Sequence, residues 1–494
     1  MSIGKRFNGL VGASVALAAA LLAVPVAAQT VGAPDNATPG VTPPPAPAKT
    51  DAPPKPEASK PWRLYEVLGT EPYFKIGLEH RVRLEHLVND FRASVPTDAS
   101  AIAFRTLLSA EGKLGPVVIG AELQDSRQIS TDETPVNTGA INTFELLQGY
   151  VGIRAKDVLA KGDSLEVLFG RQTMDLANRR LVARNDFRNT SNGYSGLSLN
   201  WLSTEKHQVR SFAFFPVNRL VNEEEELRDN LTEFDQENTH QILWGSYVLL
   251  NSVLDSSNVE FYVIGLHESD GAVESANRRL TTPVLRWFRP AAPGQLDFQL
   301  EGMAQVGRSR ASSKPEDVRD LEHRAFATHA SLGYQVALPW APRFSLGHDY
   351  ASGDVSPDDD ENNRFDTLFG ARRFEFGPTG LFGALSRINV VSPFVRFEAA
   401  PIKSIELMTS HRLAWLASST DAWVPAGPRD ESGRSGSFIG YLAELRARWT
   451  PFPKNLSFEL GGAVLTPGGF AKETAPGIQG APSVYSYLQA TAAL

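Results

Sequence analysis

The chain of 494 residues contains no cysteine and lacks the motifs of the common hydrolases. Without thiols, disulfide bonds, thiol nucleophiles and thiolate metal sites are all excluded. The sequence has no GxSxG nucleophile elbow, no HExxH zinc motif and no P-loop. Its nine histidines are scattered, and His80 and His86, which share one strand face, have no third ligand nearby. We therefore predict that the protein is not an enzyme and holds no metal or other cofactor.

Long apolar runs are also absent after the first 28 residues, so no later segment could cross a membrane as a helix. Residues 1–28 have the pattern of a signal peptide: Lys5 and Arg6, then the apolar run Leu10–Val24, then small residues before Gln29. The alternative for this segment is an N-terminal membrane anchor. The net charge of −8 gives no reason to expect a nucleic-acid partner.

Residues 29–61 are rich in proline, alanine and threonine. Such a composition cannot bury a hydrophobic core and predicts a disordered linker. This linker could cross the periplasm or contact a partner, or it could simply be a solvated leader before the first strand.

From Trp62 to Leu494, segments of about ten residues alternate apolar and polar side chains and then end in a turn. In Gln295–Gln305, for example, Leu296, Phe298 and Leu300 share one face, and Asp297, Gln299 and Glu301 share the other. Successive side chains of a strand point to opposite faces, so each segment has one apolar wall and one polar wall. Together with the secretion signal, this pattern indicates a transmembrane β-barrel in the outer membrane of a Gram-negative bacterium.

The number of strands follows from the length of this region. A strand of about ten residues, with its share of short turns and long loops, uses roughly 24 residues. Residues 62–494 therefore predict an all-β, antiparallel transmembrane barrel of roughly 18 strands, within a range of 16–18. A barrel of that size is wide enough to enclose a water-filled lumen.

Arginine far outnumbers lysine, and many arginines fall at positions that face the lumen. Arginine on the lipid face costs a few kcal/mol at mid-membrane, whereas a lumenal guanidinium binds carboxylates in bidentate fashion. Neighbouring acids would keep each site weak enough to release its cargo, although the same residues could form a structural Arg/Glu ladder. The predicted pore-lining residues are Arg81, Arg83, Arg154, Arg171, Arg180, Arg184, Arg188, Arg446, Arg448, Glu79, Glu122 and Glu444.

Two positions in this set leave alternatives open. Arg171 has the parity of Leu165, Val167 and Phe169, which predicts an outward side chain unless a β-bulge at Gly170 turns it inward. Separately, the acidic run 354–361 could coordinate calcium. Its spacing does not match an EF-hand, and a solvated loop is the other interpretation.

Several segments resemble the alginate export family. A strand ends in Gly-Arg-Gln, an Arg-Leu and an Asp-aromatic pair follow, and a second block contains Ser-Gly-Asp and Phe-Asp-x-Leu-Phe. The matching segments are Leu168–Gln172, Arg180–Val182, Asn185–Asn189, Tyr194–Leu197, Tyr350–Asp354, Phe365–Phe369, Leu442–Leu445, Phe458–Gly462 and Pro467–Gly468. Two segments depart from the family pattern: Asp175–Arg179, in place of a Gly-Asp-Gly-Arg type turn, and Gly370–Arg373, in place of proline and histidine.

The resemblance implies a monomeric outer-membrane barrel with an arginine-lined, electropositive constriction for an anionic uronate polymer. Carried over to matching positions, Arg171, Arg180 and Arg188 become the leading pore candidates. The two departures imply that the loops that select cargo differ from those of the family.

We therefore predict a passive outer-membrane channel for anionic polysaccharide or small carboxylated saccharides. Its expected partners are outer-membrane lipid and lipopolysaccharide, the anionic saccharide cargo and periplasmic export proteins. One alternative is a general or nutrient-uptake porin for small anions. A second is an outer-membrane β-barrel enzyme, with a Ser–His pair assembled across strands, and a third is a soluble secreted β-protein that binds glycans.

Overall fold

A computed structural model describes residues 62–69, 73–92, 98–132, 134–254, 256–270, 275–356, 358–475 and 480–494. These residues form a closed antiparallel barrel of 18 strands, which confirms the predicted fold class and strand number. The predicted signal peptide (1–28) and linker (29–61) lie outside the described residues. Within the described part of the chain, no helix is both long enough and apolar enough to span a membrane.

The described strands are numbered β1 to β20 in chain order, and all but the two-residue strands β8 and β15 form the barrel wall. Their bounds are β1 Phe74–Val88, β2 Ala99–Leu114, β3 Val117–Ser130, β4 Asn142–Lys156, β5 Ser164–Gln172, β6 Tyr194–Leu202, β7 Gln208–Asn218, β8 Gln236–Glu237, β9 Gln241–Leu254, β10 Ser257–Glu268, β11 Arg279–Arg289, β12 Gln295–Ser309, β13 Leu321–Gln335, β14 Arg343–Ala351, β15 Glu361–Asn362, β16 Val390–Ile402, β17 Ile405–Trp415, β18 Phe438–Phe452, β19 Leu456–Pro467 and β20 Ser483–Ala493. The helices of the described residues are short: Leu64–Leu68, Glu224–Arg228, Arg373–Phe376 and Gly469–Thr474.

The barrel closes where the first strand meets the last. β1 pairs with β2 on one side and with β20 on the other, so that Glu79 lies opposite Ala493. Every other wall strand pairs with its neighbours in the chain, β7 with β9 and β14 with β16 included. Short turns lie at the end that holds the C-terminus, here called the terminus end, and long loops lie at the opposite, long-loop end. In bacterial barrels the long loops are extracellular and the short turns periplasmic.

The alternation read from the sequence fixes which face of each strand meets lipid. In β12, Leu296 and Leu300 are 54% and 46% exposed, whereas Asp297 and Glu301 are buried. The polar face is the buried one because it points into a lumen that is filled with protein. The apolar face is exposed because it forms the outer wall, as the lipid bilayer requires.

Two long loops fill much of the lumen. Loop A (residues 173–193) joins β5 to β6, and loop B (residues 363–389) joins β15 to β16. They meet through a parallel bridge between Val182 and Phe369. The backbone amides of Ala183 and Phe369 donate to the carbonyl oxygens of Phe369 and Leu181, at 3.1 and 2.9 Å. Leu181, Val182, Phe365, Phe376 and Phe382 are buried in one cluster with inward aromatic side chains of the wall. The hydrophobic core of this protein therefore lies inside the barrel, between the wall and the loops.

Candidate functional site

Loops A and B separate two cavities in the lumen. The outer cavity, toward the long-loop end, has a volume of about 350 Å³ and is lined by both loops together with the ends of β6 and β7. The inner cavity, toward the terminus end, has a volume of about 460 Å³ and is lined mainly by β1, β18, β19 and β20. Both volumes fall within the range of small-molecule sites.

Arginine dominates the polar lining of the outer cavity. None of the described residues that line this cavity is aspartate or glutamate. The five arginines that line it are Arg180, Arg188, Arg219, Arg372 and Arg387.

Three of these arginines lack a carboxylate partner among the described residues. The guanidinium of Arg188 lies 2.6 Å from the side-chain amide of Asn185, with that amide turned so that its oxygen accepts. The Nη2 of Arg219 donates to the carbonyl oxygen of Ser191 at 2.6 Å. Arg372 forms no ion pair within the described part of the chain. We call Arg188, Arg219 and Arg372 the unpaired triad.

The unpaired triad is an unfavourable arrangement for three positive charges in the absence of an anion. Burial, together with the neighbouring charges of Arg219 and Arg372, lowers the pKa of Arg188 to about 10. Burial likewise lowers the pKa of Arg219 and that of Arg372, the latter with a contribution from Arg92. A guanidinium group stays protonated at neutral pH. A bound carboxylate would therefore offset both the desolvation cost of the three buried charges and their mutual repulsion.

The inner cavity contains charges of both signs. Arg105 pairs with Glu79 at 2.7 Å, and Arg448 pairs with Glu459 at 2.6 Å. The charged residues that line this cavity are Arg81, Arg83, Arg105, Arg373, Arg446, Arg448, Lys454, Glu79, Asp186 and Glu459.

Consecutive residues of each loop face different cavities, so the loops themselves form the partition. Phe187 lines the inner cavity and Arg188 the outer one, and Arg373 and Arg372 are divided in the same way. The guanidinium groups of Arg83 and Arg373 lie over the ring of Phe187, at 4.0 and 4.5 Å from its centroid. A cation–π stack therefore fixes the middle of the partition.

Buried ion pairs hold both loops against the wall. Arg180 of loop A binds Glu301 of β12 and also Glu375 of loop B, the latter at 2.9 Å. Arg373 of loop B binds Glu444 of β18 at 2.6 Å. Because a buried charge that loses its partner is strongly destabilising, these pairs define where the loops sit.

The structure brings together most of the predicted pore-lining residues, in two groups. Arg81, Arg83, Arg446, Arg448 and Glu79 line the inner cavity, and Arg180 and Arg188 line the outer one. The remaining lumenal predictions form ion pairs, namely Arg184 with Glu122, Arg154 with Glu111 and Glu166, and Glu444 with Arg373. Whether these residues contact cargo stays a prediction.

Arg171 is separated from the other arginines. The pairing of β5 with β4 and with β6 is regular through Gly170, so the bulge that would turn Arg171 inward is not present. Its side chain keeps the parity of Phe169, which is 64% exposed on the outer wall. The Arg171 side chain is only 12% exposed, because it binds the buried Glu145 and also Glu237, the latter at 2.7 Å.

Sequence reasoning missed two members of the unpaired triad. Arg372 lies in the segment Gly370–Arg373, where the sequence departs from the family pattern, and that departure was the available signal. Arg219 follows β7 in an irregular loop, where no periodicity assigns a side chain to the lumen. The acidic run 354–361 is engaged in part by arginines: Asp360 binds Arg319 at 2.7 Å and Glu361 binds Arg324 at 3.2 Å. Among the described residues, no group of three or more metal-ligating side chains is placed to hold a metal ion.

Solved outer-membrane proteins share this fold at low sequence identity. Pseudomonas aeruginosa OpdK, solved with vanillate, has a TM-score of 0.53 at 10% identity, over 85% of this chain and 98% of OpdK. OccK2 (OpdF) of the same organism, solved in complex with glucuronate, has a TM-score of 0.54 at 13% identity, over 85% and 98% of the two chains. Acinetobacter baumannii OccAB1 has a TM-score of 0.52 at 12% identity, over 89% and 99%.

None of the curated proteins compared with the chain is similar to it. The family model for alginate export, in contrast, matches residues 72–480, which include loops A and B and every wall strand up to β19. This match confirms the resemblance read from the sequence and places the barrel in the outer membrane, which excludes the soluble secreted alternative. The chain belongs to the alginate export family.

Proposed function

We propose that the protein is a passive outer-membrane channel for small carboxylated saccharides, and that the outer cavity is where such a solute binds during passage. The observation that carries this proposal is the unpaired triad: three guanidinium groups that line one cavity without a carboxylate among its described lining residues. A uronate carboxylate would complete their coordination through charge-assisted hydrogen bonds, which are about twice as strong as neutral ones.

We expect the inner cavity to bind an anionic solute weakly and so to allow its release. Its arginines are partly neutralised by Glu79, Asp186 and Glu459, so a passing anion meets a weaker attraction there. Conduction requires binding that is strong enough for entry and weak enough for exit. Two adjacent sites of unequal strength satisfy that requirement without an energy source.

The size of the cavities favours short cargo. About 350 Å³ is near the lower limit of small-molecule sites, which suits a single uronate residue or an aromatic carboxylate. The fold relatives support the same class of solute, since OpdK was solved with vanillate and OccK2 with glucuronate. Export of an alginate polymer is the narrower possibility that the family membership suggests. Any solute that passes from the outer to the inner cavity requires loops A and B to move apart, and a polymer would require a wider opening than a single uronate.

Single-channel recording in planar bilayers tests the proposal. We expect the wild-type channel to prefer chloride over potassium and to be blocked by glucuronate from either side. The Arg188→Gln variant should bind glucuronate about tenfold more weakly, because a hydrogen bond to a charged group contributes about 1.5–3 kcal/mol. Arg127→Gln is the matched control, since that arginine is exposed on the outer wall and pairs with the partly exposed Asp125, and it should behave as wild type. Cation selectivity without block by glucuronate would contradict the proposal.

Size dependence of block separates the two candidate cargoes. A channel for small solutes should be blocked by glucuronate and by the uronate dimer with similar affinity. A polymer exporter should instead bind longer oligouronates progressively more tightly, because each added unit reaches a further arginine.

A further inference from the structure

A row of basic side chains crosses the outer wall at the long-loop end. His267 of β10 is the register partner of Arg279 of β11, which in turn is the partner of Arg308 of β12. All three are exposed, and their parity is that of Leu285 and Val306, which are 57% and 50% exposed on the lipid face. The row therefore faces outward, away from both lumenal cavities.

The row lies at the edge of the apolar band. Ten residue steps separate Leu296 from Val306 along β12, and the outward side chains between them are apolar or glycine. At about 3.3 Å per residue and a tilt of about 40°, those steps rise about 25 Å, which is the height of the lipid-facing band of an outer-membrane barrel. Arg308 is the next outward residue, so it lies at the level of the lipid headgroups, on the extracellular side.

Arg279 and Arg308 are like charges placed directly opposite each other on neighbouring strands, which is destabilising unless an anion lies between them. Within the described part of the chain neither arginine forms an ion pair. Arg279 donates to the amide oxygen of Asn277 at 3.5 Å, and the carboxylate of Asp270, which is also near Arg279, binds Arg310 instead, at 2.7 Å. Glu322 is the register partner of Arg308, but its carboxylate binds Arg324 instead, at 2.6 Å. The nearby carboxylates of Asp270 and Glu322 thus bind other arginines, Arg310 and Arg324.

We propose that Arg279 and Arg308, with His267 beside them, bind a headgroup phosphate of lipopolysaccharide in the outer leaflet. Two guanidinium groups offer paired N–H donors with the geometry that phosphate accepts. The apolar wall below the row, formed by Leu285, Val306 and their neighbours, contacts the acyl chains of the same lipid. This site concerns the outer wall and does not depend on which solute crosses the lumen.

The test is the binding of lipid A to the full-length protein in detergent micelles, measured by native mass spectrometry. Wild type should bind bisphosphorylated lipid A at least about tenfold more tightly than the Arg279→Gln/Arg308→Gln double variant does. Arg127→Gln is the control, because Arg127 also lies outward near the long-loop end but is paired with Asp125 at 3.0 Å. Arg279→Lys/Arg308→Lys should retain part of the affinity, since the charges remain.

Three outcomes would overturn the proposal: equal binding by wild type and the double variant, undiminished binding of dephosphorylated lipid A, or saturation of the site by inorganic phosphate with no added affinity for lipid A. Heat-modifiable gel mobility and unchanged single-channel conductance show that each variant is folded. A double variant that failed to fold would be replaced by the two single Gln variants, each of which should lose part of the affinity.

Discussion

The two lumenal cavities contain similar numbers of arginines but differ in their acids. The inner cavity has six arginines, a lysine and three acidic residues, whereas the outer cavity has five arginines and no acidic residue among its described lining. The number of cations therefore does not identify the anion site. What distinguishes the outer cavity is that no carboxylate lines it among the described residues. Arg81, Arg83 and Arg446 of the inner cavity form no ion pair with a described residue either, but they share their space with Glu79, Asp186 and Glu459.

A second difference lies within the outer cavity itself. Arg180 and Arg387 both bind Glu375, and Arg180 also binds Glu301, so these two arginines hold the loops in place. The unpaired triad lines the same space and forms no ion pair with any described residue. Arginines of one cavity thus divide into a structural set and a set available to a solute, and each set can be tested separately.

The largest change should be the loss of stability caused by removing an ion pair of the structural set, Arg180 and Arg387. Arg180→Leu would leave Glu301 buried without a cation, and we expect the free energy of unfolding to fall by about 3–5 kcal/mol. Urea unfolding in micelles measures this change. In Arg319→Leu, the control, an exposed pair with Asp360 is lost and the change should be below about 1 kcal/mol. Equal, small changes in both variants would show that the Arg180 pair does not hold the loops.

A change in pH should show whether the charge of Arg188 contributes to the anion selectivity of the channel. Because the pKa of Arg188 is lowered to about 10, its side chain is charged at neutral pH and loses its proton as the pH rises through that value. Anion selectivity of the wild-type channel should therefore fall between about pH 9 and pH 11. Reversal potentials under a salt gradient report it. Arg188→Gln should have no such step, and a step that persists in this variant would assign the titration to another group.

The smallest change in selectivity and in glucuronate affinity is expected for Arg171→Gln. Arg171 matches the family motif, yet its side chain lies on the outer wall and binds Glu145 and Glu237. We expect chloride selectivity and glucuronate affinity to remain within about twofold of wild type, since no lumenal charge changes. A clear loss of selectivity in bilayer recordings would place Arg171 on the solute pathway after all.

The wall of the barrel could be predicted from the sequence, because a period of two residues assigns each side chain to a face. That rule alone places Arg81, Arg83 and Arg446 in the lumen. By the same parity Arg171 faces outward, and only a bulge at Gly170, which the regular pairing of β4 with β5 lacks, would turn it inward. Local alternation therefore carries most of the information about the wall.

The outer cavity could not be predicted in this way. Its shape depends on contacts between residues far apart in the chain, such as Arg180 with Glu301 and Val182 with Phe369. Loops A and B have no regular period, so the sequence does not reveal which of their arginines find a carboxylate. Arg219 and Arg372 become recognisable as binding candidates only when their neighbours in space are known.

Two double variants show whether a solute binds at the unpaired triad of the outer cavity. Arg219→Gln/Arg372→Gln removes two charges from the outer cavity, and Arg446→Gln/Arg448→Gln removes two from the inner cavity. Glucuronate block of single-channel current should weaken by at least about tenfold in the first variant and by only about twofold in the second. Equal weakening in both, or a larger loss in the second, would contradict the assignment of the solute site to the unpaired triad.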